Sequence, residues 1–368
     1  MELRGRLVLD DAVVPGVVRI DGDTITAVEP DASSAGGLFI APGFVDLHVH
    51  GYGGHDAMGN EAELTGMSRA LLRHGVTSFL PTAVTAALDA LDLFTARVRA
   101  WIPAAPDDGA TPLGFNIEGP FISRARAGAQ NTAHIADPAT VPWQRLEGWL
   151  DGWRLTTVAP EIPGAIELIE RLCMHGVIAS VGHSAATTEQ ARAGYAAGAR
   201  TTTHLFNAMT GVDHRAPGVA VASLLTDEAA VVLIADGQHV HRDLWPLIMR
   251  VKPAGRLVLV SDALSISGTD RTRATVGGME VEVNGDRCTL AGTDKLAGSV
   301  IALDTAVRNL VATGVQLPRA VAAASRDPLA LLGVADRGRL AAGQRADLVE
   351  LDESLMVRGI VLAGRRVR

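Results

Sequence analysis

The stretch that decides the fold is APGFVDLHVHGYGGHD, residues 41–56. Its apolar segment ends in two histidines one residue apart, His48 and His50, and glycines follow. A nearly continuous apolar run predicts a strand that is buried on both faces, as in a parallel sheet covered by helices. Side chains at i and i+2 of a strand point to the same side, so both histidines can reach one site at the end of this strand.

The same kind of segment recurs along the chain, and helix-like segments separate the copies. Eight buried parallel strands are predicted, at residues 43–50, 76–85, 113–120, 155–161, 177–184, 200–209, 230–240 and 256–264. Eight such units predict an α/β protein with a closed (β/α)8 TIM-like barrel. An open doubly wound sheet is the alternative, but its usual GxGxxG fingerprint after the first strand is absent.

The two ends of the chain do not follow the barrel pattern. Residues 1–42 and 336–368 consist of short strand-like segments and turns, and we expect both termini to form one small β-sandwich domain. The barrel is then predicted to span residues 43–335. A β-hairpin insert is predicted near residues 277–292, because polar and apolar residues alternate around Asn284-Gly285, a strong hairpin signal.

Composition excludes several classes of function. The chain has 368 residues, of which 48% are hydrophobic and 20% charged, so it can bury a large core. A formal net charge of -8 argues against nucleic acid as a partner, because phosphate binding requires a basic face. No apolar run approaches the roughly 18 residues of a membrane helix, so no membrane partner is expected. Cys173 and Cys288 form no zinc-binding or disulfide pattern, which predicts a reducing, cytoplasmic location.

Ligand-type side chains recur at the C-terminal ends of the predicted strands. In a barrel these ends meet at one mouth, where active sites are built. A lone histidine at a strand end is usually a hydrogen-bonded loop residue, but several at the same end favour a metal site. Imidazole and carboxylate ligands without a thiolate suit zinc, iron or manganese. The predicted ligands are His48, His50, Glu118, His183 and His204.

Asp262, at the end of RLVLVSDAL, has a different predicted role. A carboxylate at the last strand can take a proton from a water whose pKa a metal ion has lowered to about 7. It can then pass that proton to a leaving group. We therefore predict that Asp262 is the catalytic acid and base.

Taken together, these residues resemble the metal-dependent amidohydrolase superfamily, and within it the family of N-acetylglucosamine-6-phosphate deacetylases. The resemblance runs from about residue 41 to residue 352. HxH alone identifies only the superfamily, whereas IEGPF with THLFNAM and ADGxHV is much more specific. The matching stretches are APGFVDLHVHG, NIEGPFIS, VGHS, THLFNAM with HRAPG, IADGQHV, LVSDAL, LAGS and RGRLAAGQRADLVELD.

The resemblance implies a role for each matching residue. Glu118, His183 and His204 would bind a divalent ion, with His48 and His50 as the pair for a second one. The cofactor would thus be one or two ions, zinc first and iron or manganese as alternatives, and Asp262 would be the acid and base. A homodimer or higher homo-oligomer is also implied. The implied contacts to a phosphorylated N-acetyl amino sugar are Ala129, Gln130, Asn207, Ala208, Arg215, His239, Leu296, Ala297 and Gly298.

Gln130 departs from the family pattern. Relatives with a single metal carry a histidine twelve residues after the ligand glutamate, where it polarises the acetyl carbonyl, and here that position is Gln130. Either a second ion takes over the polarisation or the amide is bound differently, and the presence of His48 and His50 favours the second ion. The only lysines, Lys252 and Lys295, do not end a barrel strand, so the carboxylated-lysine bridge of other amidohydrolases is excluded.

The resemblance implies hydrolysis of N-acetyl-D-glucosamine 6-phosphate to D-glucosamine 6-phosphate and acetate. One alternative is a deacetylase of a related N-acyl amino sugar, such as N-acetylgalactosamine 6-phosphate. A more remote alternative is a non-catalytic interaction scaffold. Scaffolds of this kind lose ligands, whereas this sequence keeps all of them.

Overall fold

A central barrel and a second sheet from both termini make up the protein, and the computed structural model describes all of residues 1–368. The strands are β1 Glu2–Val8, β2 Val13–Asp21, β3 Thr24–Pro30, β4 Phe39–Pro42, β5 Phe44–Val49, β6 Gly51–Tyr52, β7 His55–Asp56, β8 Val76–Ala83, β9 Thr111–Pro112, β10 Phe115–Glu118, β11 Trp153–Val158, β12 Ile178–Val181, β13 Thr201–Thr202, β14 Ala230–Ile234, β15 Leu257–Val260, β16 Arg273–Val276, β17 Met279–Asn284, β18 Arg287–Leu290, β19 Leu348–Leu351, β20 Val357–Leu362 and β21 Arg365–Arg366. The α-helices are α1 Glu61–Leu72, α2 Leu88–Trp101, α3 Trp143–Glu147, α4 Ala165–Met174, α5 Thr188–Ala196, α6 Val219–Leu225, α7 Leu244–Val251, α8 Leu303–Ala312, α9 Leu317–Ala324 and α10 Arg326–Leu332.

The barrel consists of eight parallel strands in the order β5, β8, β10, β11, β12, β13, β14, β15. Backbone hydrogen bonds join its first and last strands just beyond their ends. The amide of Asp262 donates to the carbonyl of His48 at 2.9 Å, and the amide of His50 donates to the carbonyl of Ala263 at 2.9 Å. The predicted (β/α)8 barrel is confirmed, and its closure brings the loops after β5 and β15 together.

Burial explains why these segments become strands and helices. Every residue of β5 is buried, as expected of a strand with helices on one face and the barrel interior on the other. Helix α4 buries Ala165, Leu168, Ile169 and Leu172, which lie on one helical face. Thr187 begins α5 with a capping box, in which its hydroxyl accepts from the amide of Gln190.

The second sheet has seven strands in the order β21, β20, β19, β4, β1, β2, β3, so it combines both ends of the chain. It has its own apolar core, which includes Leu7, Ile40 and Leu348. The predicted small β domain built from both termini is thereby confirmed, while its exact boundaries at residues 42 and 336 stay a prediction. Gly43 connects this sheet to the barrel. A Cβ atom on residue 43 would lie only 2.2 Å from Oγ1 of Thr77, so this connection requires glycine.

The insert after the last barrel strand differs from the prediction. β17 and β18 form a hairpin within the predicted residues 277–292, and β16 adds a third antiparallel strand that was not predicted. Asn284 pairs with Arg287, so the two-residue turn is Gly285-Asp286, one residue later than predicted. Gly285 has φ = +60°, which explains why glycine occupies the first turn position.

The sixth barrel strand is much shorter than the predicted 200–209. Only Thr201–Thr202 pair as β13. His204, Phe206 and Ala208 have positive φ angles of 25°, 77° and 49°, so the chain turns sharply directly after the strand. The turn places these residues at the barrel mouth and not along its wall.

None of the helices combines the length and the apolar character that crossing a lipid bilayer requires.

Candidate active site

Six polar side chains converge at the C-terminal mouth of the barrel. Nε2 of His48 lies 3.1 Å from Nε2 of His50, and Nε2 of His183 lies 3.1 Å from Nε2 of His204. Such convergence of buried imidazoles and carboxylates is the donor arrangement that divalent transition metals bind. The six residues, none more than 7% exposed, are His48, His50, Glu118, His183, His204 and Asp262.

Glu118 lies at the centre of this cluster. Its Oε1 is 2.9 Å from Nε2 of His204 and 3.1 Å from Nε2 of His183, whereas its Oε2 is 3.2 Å from Nε2 of His50. Two groups of three potential ligands therefore share one carboxylate: His48, His50 and Glu118, and Glu118, His183 and His204, each with donor atoms within 4.8 Å of one another. The structure thus brings all five predicted metal ligands together.

Contacts on the far side of the imidazole rings fix which nitrogen faces the cluster. Nδ1 of His50 lies 3.0 Å from the carbonyl oxygen of Thr82, and Nδ1 of His183 lies 2.9 Å from that of Arg126. A carbonyl oxygen only accepts, so each Nδ1 donates, and in the neutral ring each Nε2 presents a lone pair to the cluster. This tautomer is the one that a metal ligand requires, so the residues present fit a divalent metal ion.

The backbone at three of these residues is strained. His183, His204 and Asp262 have φ angles of 45°, 25° and 51°, a region that residues other than glycine rarely occupy. Such conformations cost roughly 1–3 kcal/mol each and persist where surrounding contacts enforce them, commonly at functional sites. Here the left-handed conformation lets each side chain turn inward immediately after its strand.

Electrostatics keep the carboxylates of the cluster ionised. Burial by itself raises the pKa of Glu118, but the charges of His48 and His183 hold that pKa well below its usual value. Burial likewise raises the pKa of Asp262, and the hydrogen bond from His50 with the charges of His48 and His50 lowers it overall. Burial lowers the pKa of His50, yet its bonds to Asp262 and Glu118 raise it to about 10. At neutral pH both carboxylates of the cluster are therefore ionised.

A cavity of about 710 Å³ opens above the cluster. Its floor is the cluster, and its rim comes from the segment after β10 and from the three-stranded insert. The side chain of Asn207 donates to the carbonyls of His204 and Leu205, which leaves its amide oxygen available. The predicted substrate contacts that line this cavity are Ala129, Gln130, Asn207, Ala208, His239, Leu296, Ala297 and Gly298.

Arg215 is the exception. It lies in an exposed loop and does not line the cavity of this chain. The amide of Arg215 donates to Oδ1 of Asp213 at 2.7 Å, so a local turn orders its backbone. Its predicted phosphate contact stays a prediction.

His239 is held by a carboxylate that the sequence analysis did not single out. Nδ1 of His239 lies 2.7 Å from Oδ2 of Asp236, and the amide of His239 donates to Oδ1 of the same residue. Burial lowers the pKa of His239, but the hydrogen bond and charge of Asp236 raise it overall. Asp236 thus fixes the orientation of the ring and favours its charged form, and the motif IADGQHV contained both partners.

The side-chain contacts of two further polar residues were missed by sequence reasoning. Gln130 does line the cavity, but its side chain also contacts Glu118 and the backbone of Thr85. Glu161, which follows the fourth barrel strand, accepts from Oγ of Ser184 at 2.7 Å and from the amide of Ala185 at 2.6 Å. Glu161 therefore holds the turn after His183, and no local sequence signal identifies a contact between residues so far apart in the chain.

Comparison with known proteins agrees with this arrangement. Residues 39–367 match the model of the amidohydrolase family. An N-acetylglucosamine-6-phosphate deacetylase of Bos taurus is 37% identical over 383 aligned residues, which cover 99% of this chain and 92% of that protein.

Solved structures are similar over the whole chain. An N-acetylglucosamine-6-phosphate deacetylase of Thermotoga maritima has a TM-score of 0.93 at 33% identity and covers 100% of this chain and 99% of that one. A variant of the Mycobacterium smegmatis enzyme, in complex with N-acetyl-D-glucosamine 6-phosphate, has the same TM-score, identity and coverage. These similarities extend over the barrel and the terminal sheet alike.

Proposed function

The chain belongs to the amidohydrolase family, and from this membership and the geometry of the mouth we infer that it hydrolyses N-acetyl-D-glucosamine 6-phosphate to D-glucosamine 6-phosphate and acetate. It is thus a deacetylase of amino-sugar metabolism. The single observation that carries the inference is the buried cluster of four imidazoles and two carboxylates at the floor of a sugar-sized cavity. The substrate follows from the relatives named above, which are N-acetylglucosamine-6-phosphate deacetylases and match nearly the whole chain.

We assign the metal ligands to the two groups that share Glu118. A divalent ion bound there would lower the pKa of the attacking water and draw negative charge from the acetyl carbonyl oxygen. Zinc is our first choice and iron or manganese the alternatives, because the ligands are imidazole nitrogens and a carboxylate without a thiolate.

Asp262 is the residue that we assign to proton transfer. Its carboxylate is ionised at neutral pH, lies at the floor of the cavity and is 7% exposed, so it can accept the proton of the attacking water. It then donates that proton to the nitrogen of the leaving amine. Oδ1 of Asp262 lies 3.3 Å from Nε2 of His50, which keeps the carboxylate directed at the cluster.

The phosphate is assigned to His239 and Arg215. His239 supplies a buried imidazolium that Asp236 orients, and this charge complements a phosphate dianion. Arg215 supplies a guanidinium fork, which matches phosphate geometry. Since Arg215 is exposed in this chain, its participation requires the 211–216 loop to approach the cavity or a second copy of the chain to lie against it.

We further propose a homodimer and a cytoplasmic location. Val212, 66% exposed in the loop that carries Arg215, and Leu225, 60% exposed, are apolar surface that a second copy could cover. Sedimentation velocity that gives only monomer would overturn the proposed homodimer.

Cys173 and Cys288 are both free thiols, which fits a reducing compartment. Localisation of the tagged chain in its native host tests the proposed cytoplasmic location.

The test of the proposed function is acetate release by the metal-replete protein from N-acetylglucosamine 6-phosphate. We expect rapid release that a chelator abolishes, and a far lower kcat/KM for N-acetylglucosamine without the phosphate. N-acetylgalactosamine 6-phosphate, measured in parallel, tests the sugar epimer. If none of the three sugars releases acetate, the proposed substrate is wrong.

The role of His239 gives a second expected result. Replacing His239 with glutamine removes a charged hydrogen bond worth about 1.5–3 kcal/mol, so KM for the phosphorylated sugar should rise about 10- to 100-fold while kcat changes little. His175→Gln is a matched control, because His175 is an exposed histidine at the end of α4.

The pH dependence follows from the raised pKa of His239. The imidazolium is charged below this raised pKa and loses its charge as the pH rises through it, so the KM of the wild type should increase at alkaline pH. The His239→Gln variant should lack this increase. A KM that is insensitive to this substitution at all pH values would contradict the assignment.

A further inference from the structure

Gln130 is fixed between a backbone amide and the central carboxylate of the cluster. The amide of Thr85 donates to Oε1 of Gln130 at 2.8 Å, and Nε2 of Gln130 donates to Oε2 of Glu118 at 2.5 Å. An amide oxygen only accepts, so the contact from Thr85 determines which end of the Gln130 side chain faces Glu118. The orientation of this amide is therefore set by the backbone of another segment.

The segments that carry these groups are tightly joined. Oγ1 of Thr85 donates to the carbonyl of Glu118 at 3.0 Å. A Cβ atom on Gly119, the next residue, would lie 2.1 Å from the same Oγ1, so no larger residue fits there without a shift. Thr85 thus contacts Glu118 directly through its side chain and indirectly through Gln130.

The contact from Gln130 has a consequence for Glu118. The oxygen that it binds, Oε2, is also the one 3.2 Å from Nε2 of His50, whereas Oε1 faces His183 and His204. Rotation of the carboxylate about its last bond would break the hydrogen bond to Gln130. Oε2 is therefore kept toward His50, and Oε1 toward His183 and His204, with Nε2 of His48 3.4 Å from Oε1.

We propose that Gln130 is a positioning residue, which holds Glu118 with Oε2 toward His50 and Oε1 toward His183 and His204 and so supports binding of a second divalent ion on the side of His48 and His50. The proposal rests on the proposed function, because the proposed function assigns this cluster to metal binding. It also changes the interpretation of Gln130, which occupies the position of a carbonyl-polarising histidine in single-metal relatives. In this chain its amide group is committed to Glu118.

The experiment compares metal binding by the wild type, Gln130→Met and Thr132→Ala. Methionine has a similar length but cannot hydrogen-bond to Glu118. Thr132 lies two residues further along the same segment, and its hydroxyl contacts none of these groups, so Thr132→Ala is a matched control. Each protein is stripped, reloaded with Zn²⁺ and titrated with a chelator, and the bound zinc is counted by mass spectrometry. Thermal unfolding verifies that each variant folds.

We expect the wild type and the control to bind two ions. In Gln130→Met one of the two should bind about 10- to 100-fold more weakly, the usual cost of losing a group that orients a ligand, while the other is affected far less. At limiting zinc, kcat should fall with little change in KM, and excess zinc should restore it. This rescue distinguishes a positioning role from a contact with the substrate.

Two results would overturn the proposal. One is a wild type that binds a single ion, and the other is a Gln130→Met variant that binds both ions as tightly as the wild type. In the second case a raised KM would instead indicate a substrate contact. Because ion binding is measured without substrate, an inactive protein would refute the proposed function without affecting this outcome.

Discussion

Replacing Asp262 with asparagine is expected to lower kcat by about 10²- to 10⁴-fold, the usual contribution of a positioned acid and base. The substitution keeps the shape of the side chain but removes its charge and its ability to accept and return a proton. Oδ1 of Asp262 lies 3.4 Å and 3.3 Å from Nε2 of His48 and His50, so the variant keeps a neutral oxygen in the same place. Metal content should therefore stay close to that of the wild type.

The measurement is kcat across pH together with zinc content by mass spectrometry. Since the pKa of Asp262 is lowered, the wild type should lose activity only as the pH falls through that lowered value, when the carboxylate becomes protonated. The Asp262→Asn variant should show neither the activity nor this acidic limb. Near-normal kcat with full metal content would mean that another group transfers the proton.

The barrel could be predicted because its determinants are local. Each strand is an apolar run that ends in polar residues, as in β5, and burial on both faces requires that pattern. The ligand set could be predicted for the same reason: strand ends meet at one mouth, so His48, Glu118 and His204 must lie close together once the barrel closes. The positions of these ligands at the ends of the predicted strands were therefore enough to predict the site.

The turn after the sixth strand could not be predicted. The predicted strand 200–209 contains no glycine, and nothing in it indicates the positive φ angles of His204, Phe206 and Ala208. Long-range contacts enforce them: the amide of Leu205 donates to the carbonyl of Val232 at 2.8 Å. Local preference favoured a longer strand, and tertiary contacts overcame it.

Contacts between distant segments could not be predicted from the sequence either. Thr85 and Gln130 are 45 residues apart, and their hydrogen bond depends on how two loops meet at the mouth. The same limit applies to Arg215, because the position of an exposed loop is not encoded in its own residues. Sequence thus predicted which residues form the site better than it predicted what holds them.

Replacing Glu118 with glutamine is expected to have the largest effect on metal binding. Glu118 belongs to both groups of three ligands, so one substitution weakens both sites. Glutamine has the same size, but it carries no charge and places an NH2 group where one oxygen was. We expect each ion to bind at least about 100-fold more weakly, and kcat/KM to fall by about 1000-fold or more, because ion and charge are lost together.

Glu167→Gln is the matched control, since Glu167 is exposed in the first turn of α4 and belongs to neither ligand group. It should keep both ions and the activity of the wild type. Full zinc content and kcat/KM within tenfold of the wild type in Glu118→Gln would mean that the cluster does not hold the catalytic metal. Glu118→Gln should lose the ions, whereas Asp262→Asn should keep them and lose only turnover. This contrast between the two variants would separate the residues that hold the metal from the residue that moves the proton.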